Sequence, residues 1–183
     1  MRAARRGLGA ALLVAAVAAP VAAQGPPLAF YGFRAGVSLA DTDAQVRLLL
    51  GNGLRCQRSQ ADRRLADCRA TITDPVANTP VTIWLAAIDS TTGVLTLSAT
   101  LPAREFDRWR DVLESVYGPR TATIQGGQGM VQWIRGTQML RLTWRAAPNR
   151  IESSVSIVDG PVLDGWNVGA PPSTQIAKPR APG

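Results

Sequence analysis

Three stretches constrain this chain more than any other feature. "VLTLSATL" (Val94–Leu101), "MLRLTWR" (Met139–Arg145) and "IESSVSIV" (Ile151–Val158) each alternate between apolar and polar or small residues. Period two is the signature of a strand with one buried and one wet face. In the first, Leu95, Leu97, Ala99 and Leu101 alternate with Thr96, Ser98 and Thr100. In the second, Leu140, Leu142 and Trp144 alternate with Arg141, Thr143 and Arg145. In the third, Ile151, Ser153, Val155 and Ile157 form the inward set. A fourth stretch, "VTIWLAAI" (Val81–Ile88), is apolar on both faces and predicts a central strand. The connections "DSTTG", "GGQG", "GT" and "AAPN" are too short for parallel crossovers, so the strands must pair antiparallel.

Two helices punctuate these strands. Ser38 caps the first, with Asp41 three residues on, and Leu39, Thr42, Val46, Leu49 and Leu50 recur at helical spacing before "GNG" (Gly51–Gly53) ends it. Asp43 and Arg47 form an i,i+4 pair on its outer side. The second helix lies in "LPAREFDRWRDVLESVYGP", with Pro102 in its first turn and Gly118-Pro119 as its stop. Phe106, Trp109, Leu113 and Val116 make its core stripe. Phe30, Tyr31 and Phe33 predict a short extended lead-in strand. Trp109 and Trp144 belong to core faces, and Trp166, after "DGPVLDG", sits in a short terminal helical turn, partly exposed.

A weak internal repeat links the two halves. "VTIWLAAIDSTTGVLTLSA" and "MVQWIRGTQMLRLTWR" align Trp84 with Trp133, Leu95 with Leu140 and Leu97 with Leu142. The expected fold is α+β: antiparallel strands in one sheet or two, with two main helices packed on one face. Its units would be tandem helix-plus-antiparallel-hairpin pseudo-repeats, at about 30–101 and 102–167. In arrangement alone this is similar to tandem helix-on-sheet exported modules such as the β-lactamase inhibitory proteins. No motif carries the likeness residue by residue, so it implies an architecture and says nothing of a partner.

The N-terminus, "MRAARRGLGAALLVAAVAAPVAAQ", reads as a secretory signal peptide over residues 1–23. Arg2, Arg5 and Arg6 precede an apolar run, and Val21 and Ala23 supply small residues for cleavage between Ala23 and Gln24. No other segment is long and apolar enough to span a bilayer, so the mature chain is expected to be periplasmic or secreted. Residues 24–167 then form a single compact domain, and the Pro-rich "VGAPPSTQIAKPRAPG" (168–183) a disordered tail. Lysine-poor, arginine-heavy usage points to a GC-rich bacterial source.

The leader also changes the charge argument. The whole chain carries 20 basic and 13 acidic residues, net +7, and three arginines leave with the signal, which reduces the excess to +4. Lys178 and Arg180 lie in the tail, so the domain itself carries only +2. That balance gives no support for a nucleic-acid partner.

Absent residues limit the chemistry. There is no histidine, which removes imidazole proton transfer and Ser-His or Cys-His nucleophiles. The single lysine is in the tail, and no Gly-x-Ser-x-Gly occurs. Two cysteines without histidine do not complete a tetrahedral zinc site, and no calcium loop is present, so neither metal nor cofactor is expected. "QGGQGM" lacks the following helix and lysine of a phosphate loop and reads as a turn. Asp74, Asp89, Glu105 and Asp159 fall near element ends, without a nominee for catalysis.

What remains is "RCQRSQADRRLADC". In an oxidising compartment Cys56 and Cys68 pair as a disulfide across a hairpin of Leu54–Arg58 and Leu65–Ile72. Arg58, Arg63 and Arg64 would then occupy its tip, and Arg141 and Arg145, with Arg135 beside them, a wet sheet face. Arginine forks suit carboxylates and phosphates. The expected function is therefore an exported, non-catalytic binding or structural module that contacts another envelope protein or an acidic macromolecule. The alternative is a hydrolase or carbohydrate-active enzyme with an unrecognised carboxylate site.

Overall fold

The computed structural model describes residues 25–74 and 77–167, so the leader and the tail lie outside the described residues. The order is α1 (Leu39–Leu48), β1 (Arg55–Arg58), β2 (Leu65–Thr73), β3 (Pro80–Ile88), β4 (Thr91–Leu101), α2 (Ala103–Tyr117), β5 (Thr123–Gln125), β6 (Gln128–Arg135), β7 (Gln138–Ala147), β8 (Arg150–Asp159) and α3 (Gly160–Asn167). The strands form one sheet in the order β1-β2-β3-β4-β8-β7-β6-β5, every neighbouring pair antiparallel. Each half is a helix followed by a four-strand meander. The meanders meet at β4 and β8, in register from Val94↔Val158 to Leu101↔Ile151.

The residue match drawn from the sequence does not follow this order. It equates the β3–β4 hairpin with β6–β7, whereas position in the sheet equates β3–β4 with β7–β8. Trp133 is fully buried, while Trp84 lies on the other face, partly exposed, its indole bonded to Asp67. Amphipathic hairpins resemble one another at any step of a meander, so a shared tryptophan does not fix equivalence.

One set of alternating side chains builds the core. Ile83, Leu85, Leu95, Leu97, Leu140, Leu142, Val155 and Ile157 are all without solvent exposure. Phe106, Trp109 and Leu113 of α2 and Val46 of α1 join the same cluster. Val116, assigned to the α2 stripe, is instead 48% exposed, one turn beyond Leu113 where the helix runs out towards Gly118. α1 begins as its cap predicts, with Ser38 Oγ accepting from the Asp41 amide at 3.1 Å. Leu50 lies past the helix end with φ +59° and is 87% exposed, so it belongs to the terminating turn and not to the apolar face.

The lead-in is not a strand. Phe30 and Phe33 bond only to each other, through amide-to-carbonyl bonds of 3.1 and 2.9 Å, around Tyr31 and Gly32 in the left-handed region. The tight turn drives both phenylalanines into the core, where the Phe30 ring meets Trp109 at 4.9 Å.

The turns also account for the glycine cluster. Gly126 reverses the β5–β6 hairpin at φ +59°. Gly129 has a different duty, because the Trp144 indole from β7 lies across its α-carbon, directly opposite in the register, in the space a side chain would fill. Trp144 in turn packs on Phe106 of α2 at 5.2 Å. Gly129→Ala is therefore expected to lower stability by about 1–3 kcal/mol through overpacking, read as a reduced Tm, while Gly127→Ala, with open space around it, leaves Tm nearly unchanged.

Candidate functional site: the cysteine hairpin and the second sheet face

β1 and β2 place Cys56 directly opposite Cys68, and the two are joined as a disulfide. The bond closes a loop with a sequence separation of 12 at the sheet edge. A cross-link there restrains a four-residue edge strand that has little else to hold it.

The hairpin tip differs from its expected form at one arginine. Arg64 is not held out to solvent. Its Nη2 donates to Asp62 Oδ2 at 3.0 Å and its Nε to Asp62 Oδ1 at 3.3 Å. Trp166 Nε1 reaches the same carboxylate at 3.2 Å, and Arg64 Nη2 the Trp166 carbonyl at 3.4 Å. Asp62 and Arg64 thus tie the tip to α3. The Arg64 hydrogen bonds hold the Asp62 carboxyl below its ordinary pKa. Arg58 and Arg63 remain exposed and line a hollow with Leu39. Arg135 leaves the wet face altogether. It stacks over the Tyr117 ring, 5.0 Å from the centroid, and donates to the Pro26 carbonyl.

The residues between the core positions form the second face of the sheet, and the strand register arranges them in rows. One row runs Arg55–Arg69–Trp84–Thr96–Ser156–Arg141–Gln132 across β1, β2, β3, β4, β8, β7 and β6. The next runs Thr71–Thr82–Ser98–Ser154–Thr143. Hydroxyls bond in pairs across the strands, Thr96 to Ser156 at 3.0 Å and Thr143 to Ser154 at 2.8 Å. Beyond them a concavity of about 740 Å³ is bordered by Ser98, Thr100, Arg145, Arg150, Glu152 and Ser154.

This face carries five arginines (Arg55, Arg69, Arg141, Arg145, Arg150) against two carboxylates, Asp67 and Glu152. Only Arg69 has an ion pair among the described residues, an open one to Asp67 at 3.7 Å. Arg141 is half-buried, makes long contacts to Gln132 Oε1 at 3.3 Å and Met139 Sδ at 3.5 Å, and leaves its buried Nε without a partner. Arg145 faces Gln128 across the ladder, with that amide oxygen in reach of the guanidinium. Arg55 stands directly opposite Arg69, a like-charge pair that costs stability in a sheet. Sequence alternation located Arg141 and Arg145. It missed Arg55, Arg69 and Trp84 as members of the same row, which only the register reveals.

The four carboxylates near element ends are engaged by different partners or exposed. Asp74 is 1% exposed. Its Oδ2 accepts from the Tyr31 hydroxyl and from Trp109 Nε1, both at 2.8 Å, and its Oδ1 from the Ala77 amide at 2.9 Å. Desolvation, reinforced by the Asp74 bond, pushes the Tyr31 phenol well above its ordinary pKa. Asp159 accepts from Gln138 and from the Val162 amide that opens α3. Glu105 pairs with Arg108 on α2, and Asp89 lies exposed in a turn. Among the described residues no three His, Cys, Asp or Glu side chains group as a metal site, and no helix is long and apolar enough to cross a membrane.

The chain matches no protein-family model, no curated protein and no solved structure.

Two outcomes follow from this geometry. Asp74→Ala strands three donors, the buried Trp109 indole among them, and is expected to cost about 3 kcal/mol, measured by urea unfolding; retained wild-type stability would remove Asp74 from the core-organising role. Asp62→Asn is expected to narrow the stability gap to wild type as pH falls. A depressed folded-state pKa gives stability that is present above the unfolded value of 3.8 and lost as pH drops through the folded value. The gap should be full at neutral pH and closed in strong acid.

Proposed function

We propose that the mature chain is an exported, non-catalytic binding module that holds an acidic partner on the second face of its sheet. One observation carries the reading: four of the five arginines on that face have no carboxylate within ion-pairing distance among the described residues. Arg141 is the half-buried one of the four, and a charge half-removed from water without a counterion is costly; a partner's acidic group offsets that cost, while the exposed Arg55, Arg145 and Arg150 add attraction. The basic leader and the disulfide support export, because such bonds persist outside the reducing cytoplasm.

The tandem reading belongs with this one. The first half supplies Arg55 and Arg69, the second Arg141, Arg145 and Arg150, so each half brings one bank of positive charge to a shared surface. The sealed position of Asp74 and the separate engagements of Glu105 and Asp159 give the hydrolase alternative no supporting observation.

The test is capture from an envelope extract with two forms of the protein. Ser98→Glu/Ser154→Glu lowers the positive excess of the face and fills its middle with negative charge, and should abolish capture while the melting curve stays cooperative. Equal capture by both forms would sink the proposal.

A further inference from the structure

The shape of the second face narrows what it would hold. In the two middle rows its central strands, β4 and β8, present small hydroxyl side chains, Thr96, Ser98, Ser154 and Ser156, flanked along the strands by Val94 and Val158 at one end and by Thr100 and Glu152 at the other. The strands on either side present larger ones, Trp84 on β3 and Arg141 on β7. Three strand spacings separate those two positions, about 14 Å between backbones. The middle of the sheet is therefore a trough, running along β4 and β8, with a hydroxyl floor, an aromatic wall and an arginine wall. At one end it opens into the concavity bordered by Arg145, Arg150 and Glu152.

We propose that this trough binds an acidic polysaccharide, a chain of sugar rings bearing carboxylates. The inference rests on the binding-module reading and names its ligand class. Three features select a glycan over an acidic protein surface. First, the floor is serine and threonine, whereas the centre of a protein interface is depleted in serine and enriched in aromatic residues, methionine and arginine, which here stand on the walls and not on the floor. Hydroxyls instead match a ligand that is itself polyhydroxylated.

Second, Trp84 is the one tryptophan in the row, partly exposed, and its indole is held by the 2.9 Å bond from Nε1 to Asp67 Oδ2. A fixed indole offers a flat apolar surface to the C–H face of a sugar ring at little entropic cost. Third, the unpaired guanidinium of Arg141, with Arg145 and Arg150 further along, supplies forks for successive carboxylates on the opposite wall. Asp67 also contacts Arg69, so one carboxylate positions both the aromatic and a cation beside it.

Calorimetric titration of the mature protein with three polymers tests this: polygalacturonate, neutral dextran, and poly-L-glutamate at matched carboxylate concentration. Polygalacturonate should bind saturably and more weakly as salt rises, and dextran should not bind. Arg141→Ala should weaken polygalacturonate by about tenfold or more. Trp84→Ala should weaken polygalacturonate and leave poly-L-glutamate unchanged, and Trp84→Phe, which keeps a ring and guards against a folding defect, should retain most of the binding. Arg104→Ala, on the exposed side of α2, should change nothing. Poly-L-glutamate binding as tightly as polygalacturonate, or indifference to Trp84→Ala, would overturn the glycan assignment in favour of a general acidic surface. Failure of all three polymers, with capture still abolished by Ser98→Glu/Ser154→Glu, would overturn the glycan assignment and leave the binding-module reading standing.

Discussion

The ladder between β4 and β8 carries the middle of the molecule. Each meander alone has four strands and one helix, and would leave a long edge unpaired along its last strand. Joining those edges removes both at once and aligns eight residue pairs without a break. The same register puts Leu95 beside Ile157 and Leu97 beside Val155 in the core. On the other face it puts Thr96 beside Ser156 and Ser98 beside Ser154. A slip of one residue would exchange these sets, burying hydroxyls and exposing leucines. Core and trough are thus two consequences of one pairing.

That pairing explains what could be read from the sequence. Strands β4, β7 and β8 were legible because their side chains obey period two, and the helices because cap, stripe and stop agree. The class of fold follows from these and from the short turns. The strand order does not, because a meander's hairpins all carry the same signal, and nothing in period two says which strand meets which across the centre. The residue match between halves failed for that reason, placing Trp84 of the wet face against Trp133 of the core.

Other features were illegible because they depend on contacts between distant segments. Gly129 sits in what reads as a flexible turn, yet its bare α-carbon makes room for the Trp144 indole. Asp74 looks like a loop carboxylate near a strand end, yet it gathers Tyr31 from the lead-in turn and Trp109 from α2 into one buried group. Arg64 looks like one of three equivalent tip arginines. It alone is clamped, because Asp62 lies two residues away and Trp166 arrives from the far end of the domain. In each case a residue chosen for its type is redirected by a partner more than ten residues away, or by a bond that partner shares.

The second face would be simpler and more stable if its arginines were paired or replaced. Arg55 opposite Arg69 is a repulsive pair at a position where an acidic residue would stabilise the sheet. Arg141 keeps a buried Nε unsatisfied, a penalty comparable to a lost hydrogen bond. The core face carries one such atom as well, the buried Ser153 Oγ, while Asp74 and Thr42 there are hydrogen-bonded. A small domain with a net stability of roughly 5–15 kcal/mol carries few such costs without a use for them. The Arg55–Arg69 repulsion and the unpartnered Arg141 Nε both lie on the second face, and the acidic partner proposed for that face would offset both costs.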